Sequence, residues 1–195
     1  MDLPERMQDF FEIYRQPWKP VSGAAVFIAA FIYAWFLLFA FTHSGDMFFI
    51  DNVNLPIHEG GHIIFGMFGW EELMVWGGTI MQLVVPFLLA ACFAYRREIS
   101  GTAFCTFMFF ENFLNVATYM ADAREQDLPL VTTGPADYVE HDWSHILGHL
   151  GLLRYDTLFA SWLRAAAYLG MVATISWLFW RWWQQKHETA KSAAA

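Results

Sequence analysis

Four long apolar stretches separated by short polar segments dominate the pattern along the chain. They predict membrane spans at 21–43, 76–95, 101–122 and 157–184, because about 20 apolar residues cross a hydrocarbon core of about 30 Å. The first stretch lacks a small-residue cleavage site, which favours a retained span over a signal peptide. The pattern therefore predicts an all-α integral membrane protein with about four transmembrane helices.

Two shorter segments complete the predicted architecture. Apolar residues of the leader share one helical face, which predicts an interfacial helix over 1–20, with an ordinary polar leader as the alternative. The segment 55–69 is too short to cross a bilayer at about 1.5 Å per residue. Asn54 is suited to cap this helix, Pro56 to its first turn and Gly69 to its end. We predict a half-membrane helix that enters from the non-cytoplasmic side.

Composition and charge define the setting and exclude one class of partner. Hydrophobic residues make up 57% of the 195 positions, more than is usual in soluble proteins. Basic residues gather near Lys19, Arg96 and Arg181, which predicts a multi-pass inner (plasma) membrane protein with both termini in the cytoplasm. The net charge of −8 argues against nucleic acid as a partner.

The segment His58-Glu59-Gly60-Gly61-His62 carries the clearest chemical pattern. A helix projects His58 and His62 from one face, with Glu59 beside the first. In zincins, two such imidazoles bind the ion and the carboxylate takes a proton from the water that zinc activates. Ionisable residues inside apolar segments are rare and are usually functional. We predict one divalent ion, zinc, with Glu59 as the catalytic base; hydrogen bonding among helices or a chance match is the alternative.

A third protein ligand must come from elsewhere, because two imidazoles do not complete a zinc site. Glu111, Asn115, Tyr119 and Asp122 follow at helical spacing within the span 101–122 and form a polar stripe. Asp122 ends this stripe at the outer side and is a predicted metal ligand. The deeper Glu111 is predicted to be a neutral acid or part of a proton path, with an inter-helix clamp as the alternative.

The outer loop 123–156 offers a further set of donors. His141, His145 and His149 are spaced by four residues, so one short helix could present all three on one face. His141 is a second predicted ligand of the first site. His141 or Asp142 alone could fold over that site, as a ligand or as a neighbour of a ligand, and Asp142 is assigned to the second group. A separate metal site, giving two ions in all, and a surface helix with incidental histidines are the alternatives.

The run from His58 through Pro86 resembles the core of the site-2 type intramembrane zinc metalloproteases, especially their compact bacterial relatives. In that family the metal-binding helix precedes a short extended stretch, here 69–76, and a glycine-led membrane segment, here 78–82. This sequence has Thr79 where the family has proline and Gln82 where it has asparagine.

The resemblance implies hydrolysis of a peptide bond in or near the bilayer. The two histidines and a third ligand would hold zinc, and Glu59 would activate water. The family's third ligand is an aspartate in a Leu-Asp-Gly context, to which Asp122 in Met-Ala-Asp-Ala-Arg is the nearest match. Gln82 or Asn115 could steady the substrate backbone or the developing oxyanion.

Three functions compete at this point. The first is an intramembrane zinc metalloprotease, with a membrane protein or peptide as substrate. The second is a non-proteolytic metal-binding subunit of a larger membrane assembly or oligomer, or a two-metal membrane oxidase. The third, a transporter, is weakened because the sequence has no internal repeat. Membrane lipid is an expected partner in each case.

Overall fold

A computed structural model describes residues 16–43, 51–128 and 141–194, and these residues are helical apart from short connections. The predicted leader helix falls largely on residues outside that description, and 16–20 are not helical. The elements in chain order are α1 (Gly23–Thr42), α2 (Asp51–Gly66), α3 (Glu71–Tyr95), α4 (Ile99–Ala121), α5 (Asp142–His149), a single 3-10 turn (Leu153–Tyr155) and α6 (Asp156–Ala194).

Among the described residues, three helices are long and apolar enough to cross a membrane: α1, α3 and the helical stretch that contains α6. They correspond to three of the four predicted spans. The helix α4, which covers the remaining predicted span, does not meet the same criterion. Its interior carries Glu111, Asn112 and Asn115, and these polar side chains lower its mean hydropathy.

The helix α4 lies at the centre of the bundle and packs against both α3 and α6. Tyr33 of α1 stacks on Phe107 of α4 with ring centroids 4.4 Å apart. Gly170 of α6 faces Phe110, whose ring occupies the space that a β-carbon would take. Aromatic rings therefore fill the interface between the long helices, while α5 packs against the C-terminal end of α4 and α2 packs mainly against α3.

The helices α2 and α3 form a tight antiparallel hairpin. Gly69 makes the turn with φ +70°, a conformation that glycine adopts without strain. Beyond the turn, Gly61 and Gly77 bring the two backbones into contact, and a β-carbon at either position would overlap the backbone of the other helix. This crossing fixes which face of α2 points at α3.

The start of α2 differs from the prediction. Asn54 does not cap the helix; it lies within α2 and is buried, where its side-chain amide donates to Glu111. Pro56 likewise lies inside the helix. Because Asp51 and Asn54 contact α4 midway along its length, the first turn of α2 lies deep in the bundle and its last turn lies at the end where α3 begins.

Candidate metal centre

His58 and His62 project from adjacent turns of α2, and their ring centroids lie 4.8 Å apart. Together with Glu59 they form a group whose ligand atoms all lie within 4.8 Å of one another. His58 is buried, whereas Glu59 and His62 are half-buried. This group could hold a metal ion, and it is the arrangement that the spacing in the sequence predicts.

Asp142, the first residue of α5, completes the cluster. Its Oδ2 lies 2.9 Å from His58 Nε2 and 3.2 Å from His62 Nε2. The backbone N–H of Asp142 donates to the hydroxyl oxygen of Tyr119, which holds the start of α5 against α4. Asp142 was predicted mainly as a neighbour of the metal ligands, and in the structure its carboxylate reaches both imidazoles.

The other nitrogen of each imidazole faces an oxygen that can only accept a hydrogen bond. His58 Nδ1 lies 3.1 Å from the side-chain carbonyl oxygen of Gln82, and His62 Nδ1 lies 2.8 Å from the backbone carbonyl of Met74. Both Nδ1 atoms must therefore carry the proton and donate it. In the neutral rings, both Nε2 atoms then present lone pairs towards Asp142.

Three electron-pair donors thus converge on one point, which is unfavourable unless a cation lies among them. The separations of 2.9 and 3.2 Å are close to the ~3.3 Å expected between ligands of a tetrahedral zinc ion. Without a metal, a proton takes this role: burial lowers the pKa of His62, but the hydrogen bond and charge of Asp142 outweigh burial and raise it. The donor set fits a divalent metal ion.

Gly78 on α3 makes room for both imidazoles. A β-carbon at this position would lie 2.6 Å from His58 Nε2 and 2.6 Å from His62 Nε2. Gly60 differs, since nothing lies within 4 Å of its β-carbon position. Gly78, the first residue of the predicted segment 78–82, is therefore required here because it has no side chain.

Two predicted support residues, Gln82 and Asn115, are joined to each other. Gln82 Nε2 donates to Asn115 Oδ1, and Asn115 Nδ2 donates to Asp51 Oδ1 at 2.7 Å. Asp51 was not singled out in the sequence, although Asp51, Asn54 and His58 follow at helical spacing and mark one polar face of α2. Glu111, which is fully buried, accepts from Asn54 at 3.2 Å.

Asp122 and His141, the two predicted ligands, contact each other and their own loops. Asp122 accepts from the backbone N–H groups of Asp127 and Leu128 and so closes the turn that follows α4. The ring of His141 packs at a tilt against that of Tyr119 with centroids 4.1 Å apart, and its Nε2 lies 3.4 Å from Asp122 Oδ2. Burial lowers the pKa of His141, which favours its neutral form. Among the loop acids that the structure describes, Asp142 is the one that reaches His58 and His62.

His145 and His149 follow Asp142 along α5 and line a separate cavity. Their rings stack at 4.2 Å, and the cavity, of about 210 Å³, is also lined by Glu72 and Trp76. In the part of the chain that the structure describes, the group around His58 is the one whose donor atoms meet the spacing for a metal ion.

Comparisons with protein-family models, with curated proteins and with solved structures gave no match to this chain.

Proposed function

We propose that this protein is a membrane-embedded zinc enzyme that hydrolyses a peptide bond in or near the bilayer. One observation carries the proposal: His58 Nε2, His62 Nε2 and Asp142 Oδ2 converge while the imidazole protons are held on the opposite nitrogens. Two nitrogens and one carboxylate oxygen leave the fourth position of a tetrahedral ion open, as in catalytic rather than structural zinc sites.

The roles of the residues follow from their positions. A zinc ion held in this cluster would act as a Lewis acid and would lower the pKa of its bound water to about 7. Glu59, whose carboxylate belongs to the same group of donor atoms, takes the proton of the attacking water and returns it to the leaving nitrogen. Asp142 and the two histidines hold the ion, and Gly78 keeps α3 clear of it.

The proposed membrane placement counts α4 as a fourth span. Its polar residues face Asn54 of α2 and its own backbone, so lipid does not have to solvate them. The basic residues Lys19, Arg96 and Arg97 mark the cytoplasmic end of the bundle. Gln82, which touches His58, lies 14 residues before Arg96, or about 21 Å along the helix. The cluster would then lie about 9 Å below the outer boundary of a hydrocarbon core of about 30 Å.

The helix α2 suits such a half-immersed position. Its 16 residues extend about 24 Å, less than the hydrocarbon core. Its N-terminal half buries polar residues against α4, whereas its C-terminal end exposes Ile63 and Ile64, and the turn that follows exposes Met67 and Phe68. A contiguous exposed apolar surface of this kind is typical of contact with lipid or with another apolar partner.

Purified protein in liposomes, loaded with zinc and given a single-span membrane peptide, tests the proposal. We expect cleavage by the native chain, and none by Glu59→Gln although that variant still binds one zinc per chain. Glu71→Gln changes an exposed acid at the start of α3 and should cleave normally. A Glu59→Gln variant that still cleaves would refute the catalytic role. Two redox-active ions per chain would instead support the oxidase.

A further inference from the structure

Asp51, Asn115, Gln82 and His58 form a hydrogen-bonded relay that joins α2, α4 and α3. Asp51 and Gln82 are both almost completely buried, with 3% and 2% of their surfaces exposed. The relay begins two turns away from the metal cluster along α2 and ends on the ring nitrogen that does not face the cluster. The direction of the hydrogen bonds in the relay determines whether that nitrogen carries a proton.

The direction of each hydrogen bond follows from Asp51. An ionised carboxylate can only accept, so Asn115 must turn its amide nitrogen towards Asp51 and its oxygen towards Gln82. Gln82 must then present its nitrogen to Asn115 and its oxygen to His58. A ring nitrogen that faces an amide oxygen has to carry a proton, so His58 is fixed with hydrogen on Nδ1. Its Nε2, which lies 2.9 Å from Asp142 Oδ2, is then left to bind metal or, in the metal-free protein, to share a proton with that carboxylate.

Two features keep Asp51 ionised. It lies in the first turn of α2, where the positive end of the helix dipole favours a negative side chain. The neighbouring carboxyl group of Glu111 is fully buried, and a carboxylate charge there would be strongly disfavoured. Glu111 therefore keeps its proton, and Asp51 carries the negative charge of the pair.

We infer that Asp51 is a positioning residue that sets the tautomer of His58 through Asn115 and Gln82, so that Nε2 can bind metal. Partners that orient metal-bound histidines are known to change metal affinity by about 10–100-fold when removed. In most such sites the orienting group contacts the histidine directly. Here two side-chain amides, Asn115 and Gln82, lie between the carboxylate of Asp51 and His58. The inference rests on the metal site proposed above.

The relay predicts an unusual pattern of loss and rescue. In Asp51→Asn, the new amide can donate to Asn115, which reverses each bond until Gln82 donates to His58 Nδ1. The proton of His58 then moves to Nε2, and metal affinity should fall by about 10–100-fold. Adding Gln82→Glu supplies an acceptor that cannot reverse, so the double variant Asp51→Asn, Gln82→Glu should regain Nδ1–H and most of the affinity.

In the single variant Gln82→Glu, Asn115 lies between two carboxylates, those of Asp51 and Glu at position 82. Its amide nitrogen can donate to one of them, so its oxygen must face the other. The single variant should therefore be less stable than the double variant. Glu111→Gln is the matched control. It keeps an acceptor for Asn54 and changes a neighbouring buried carboxyl without entering the relay, so its metal affinity should equal that of the native chain.

The experiment combines zinc competition with a chromogenic chelator and ¹⁵N NMR of histidine-labelled, metal-free protein, with His58 assigned by comparison with His58→Gln. We expect His58 to be Nδ1–H in the native chain, Nε2–H in Asp51→Asn and Nδ1–H again in the double variant. Unchanged tautomer and affinity in Asp51→Asn would overturn the inference, and so would a loss that Gln82→Glu does not rescue. The NMR result does not require metal. A native chain that shows the expected tautomer but does not bind zinc would therefore refute the proposed function and not the relay.

Discussion

Asp142 Oδ2 lies 2.9 Å from His58 Nε2, although 84 positions separate the two residues in the chain. The contact joins the short helix α5 to α2 and gives the histidine pair its carboxylate. Burial raises the pKa of Asp142, but the two imidazoles beside it outweigh burial and lower the pKa. Asp142 is therefore ionised at neutral pH, as a metal ligand must be.

Replacing this carboxylate should weaken metal binding selectively. Asp142→Asn removes the negative charge and retains the shape, and we expect zinc affinity to fall at least 10-fold, because an amide oxygen is a poorer ligand for zinc than a carboxylate. Asp122→Asn is the informative comparison, since Asp122 closes the turn after α4 and does not contact the cluster. It should bind zinc with native affinity. Equal losses in both variants, measured by chelator competition, would argue against Asp142 as the ligand.

Gly78 should not tolerate a side chain. In Gly78→Ala the new methyl group would lie 2.6 Å from both Nε2 atoms, so either the histidines turn away or the helices separate. Overpacking of this kind typically destabilises by about 1–3 kcal/mol, and zinc should be lost as well. Gly60→Ala, with open space around its β-carbon, should retain zinc and equal or exceed the native stability. Zinc content and thermal unfolding of the two variants provide the measurement.

The ion pair between Arg124 and Asp156 should stabilise the end of the bundle near the cluster. Arg124 Nε lies 2.8 Å from Asp156 Oδ2, and the Asp156 side chain is completely buried. Arg124→Gln leaves that buried carboxylate with fewer partners and should lower the free energy of unfolding. The double variant Arg124→Gln, Asp156→Asn should recover part of this loss. Chemical unfolding in detergent tests the pair, and additive effects of the two changes would contradict a direct interaction.

The ion pair between Lys19 and Glu98 should weaken at low pH. Lys19 Nζ lies 2.7 Å from Glu98 Oε1, and this hydrogen bond and the charge of Lys19 hold the pKa of Glu98 below its ordinary value of 4.5. Because the pKa is lowered in the folded protein, the pair stabilises fully above pH 4.5 and loses its effect as the pH falls through the lower pKa. The Lys19 amide signal of ¹⁵N-lysine-labelled protein should shift in that range. Lys186 is the internal control, and Glu98→Gln should abolish the shift.

Much of the helical framework could be predicted from the hydrophobic pattern, because the bilayer requires long apolar helices. The predicted span 21–43 compares with Gly23–Thr42, and 101–122 compares with Ile99–Ala121. The pairing of His58 with His62 was also predictable, since it depends only on helical spacing.

The third side chain of the cluster was not predictable in the same way. Choosing between Asp122 and Asp142 requires knowing that the turn after α4 uses Asp122 for its own backbone N–H groups and that Tyr119 holds the start of α5. These are local and tertiary contacts, which leave no periodic pattern in the sequence. Asp51 was missed for a related reason, because the predicted start of α2 lay beyond it.

The contact between Gly61 and Gly77 also determines the direction from which a reactant can arrive. Because the two backbones touch there, no extended polypeptide can slide between α2 and α3 to reach the histidines. Glu59 and Ile63 are one helical turn apart on α2, and Ile63 is 59% exposed. The open approach to Glu59 is therefore the exposed face of α2 that carries Ile63, so under the proposed function a peptide would meet Glu59 before it met the two histidines.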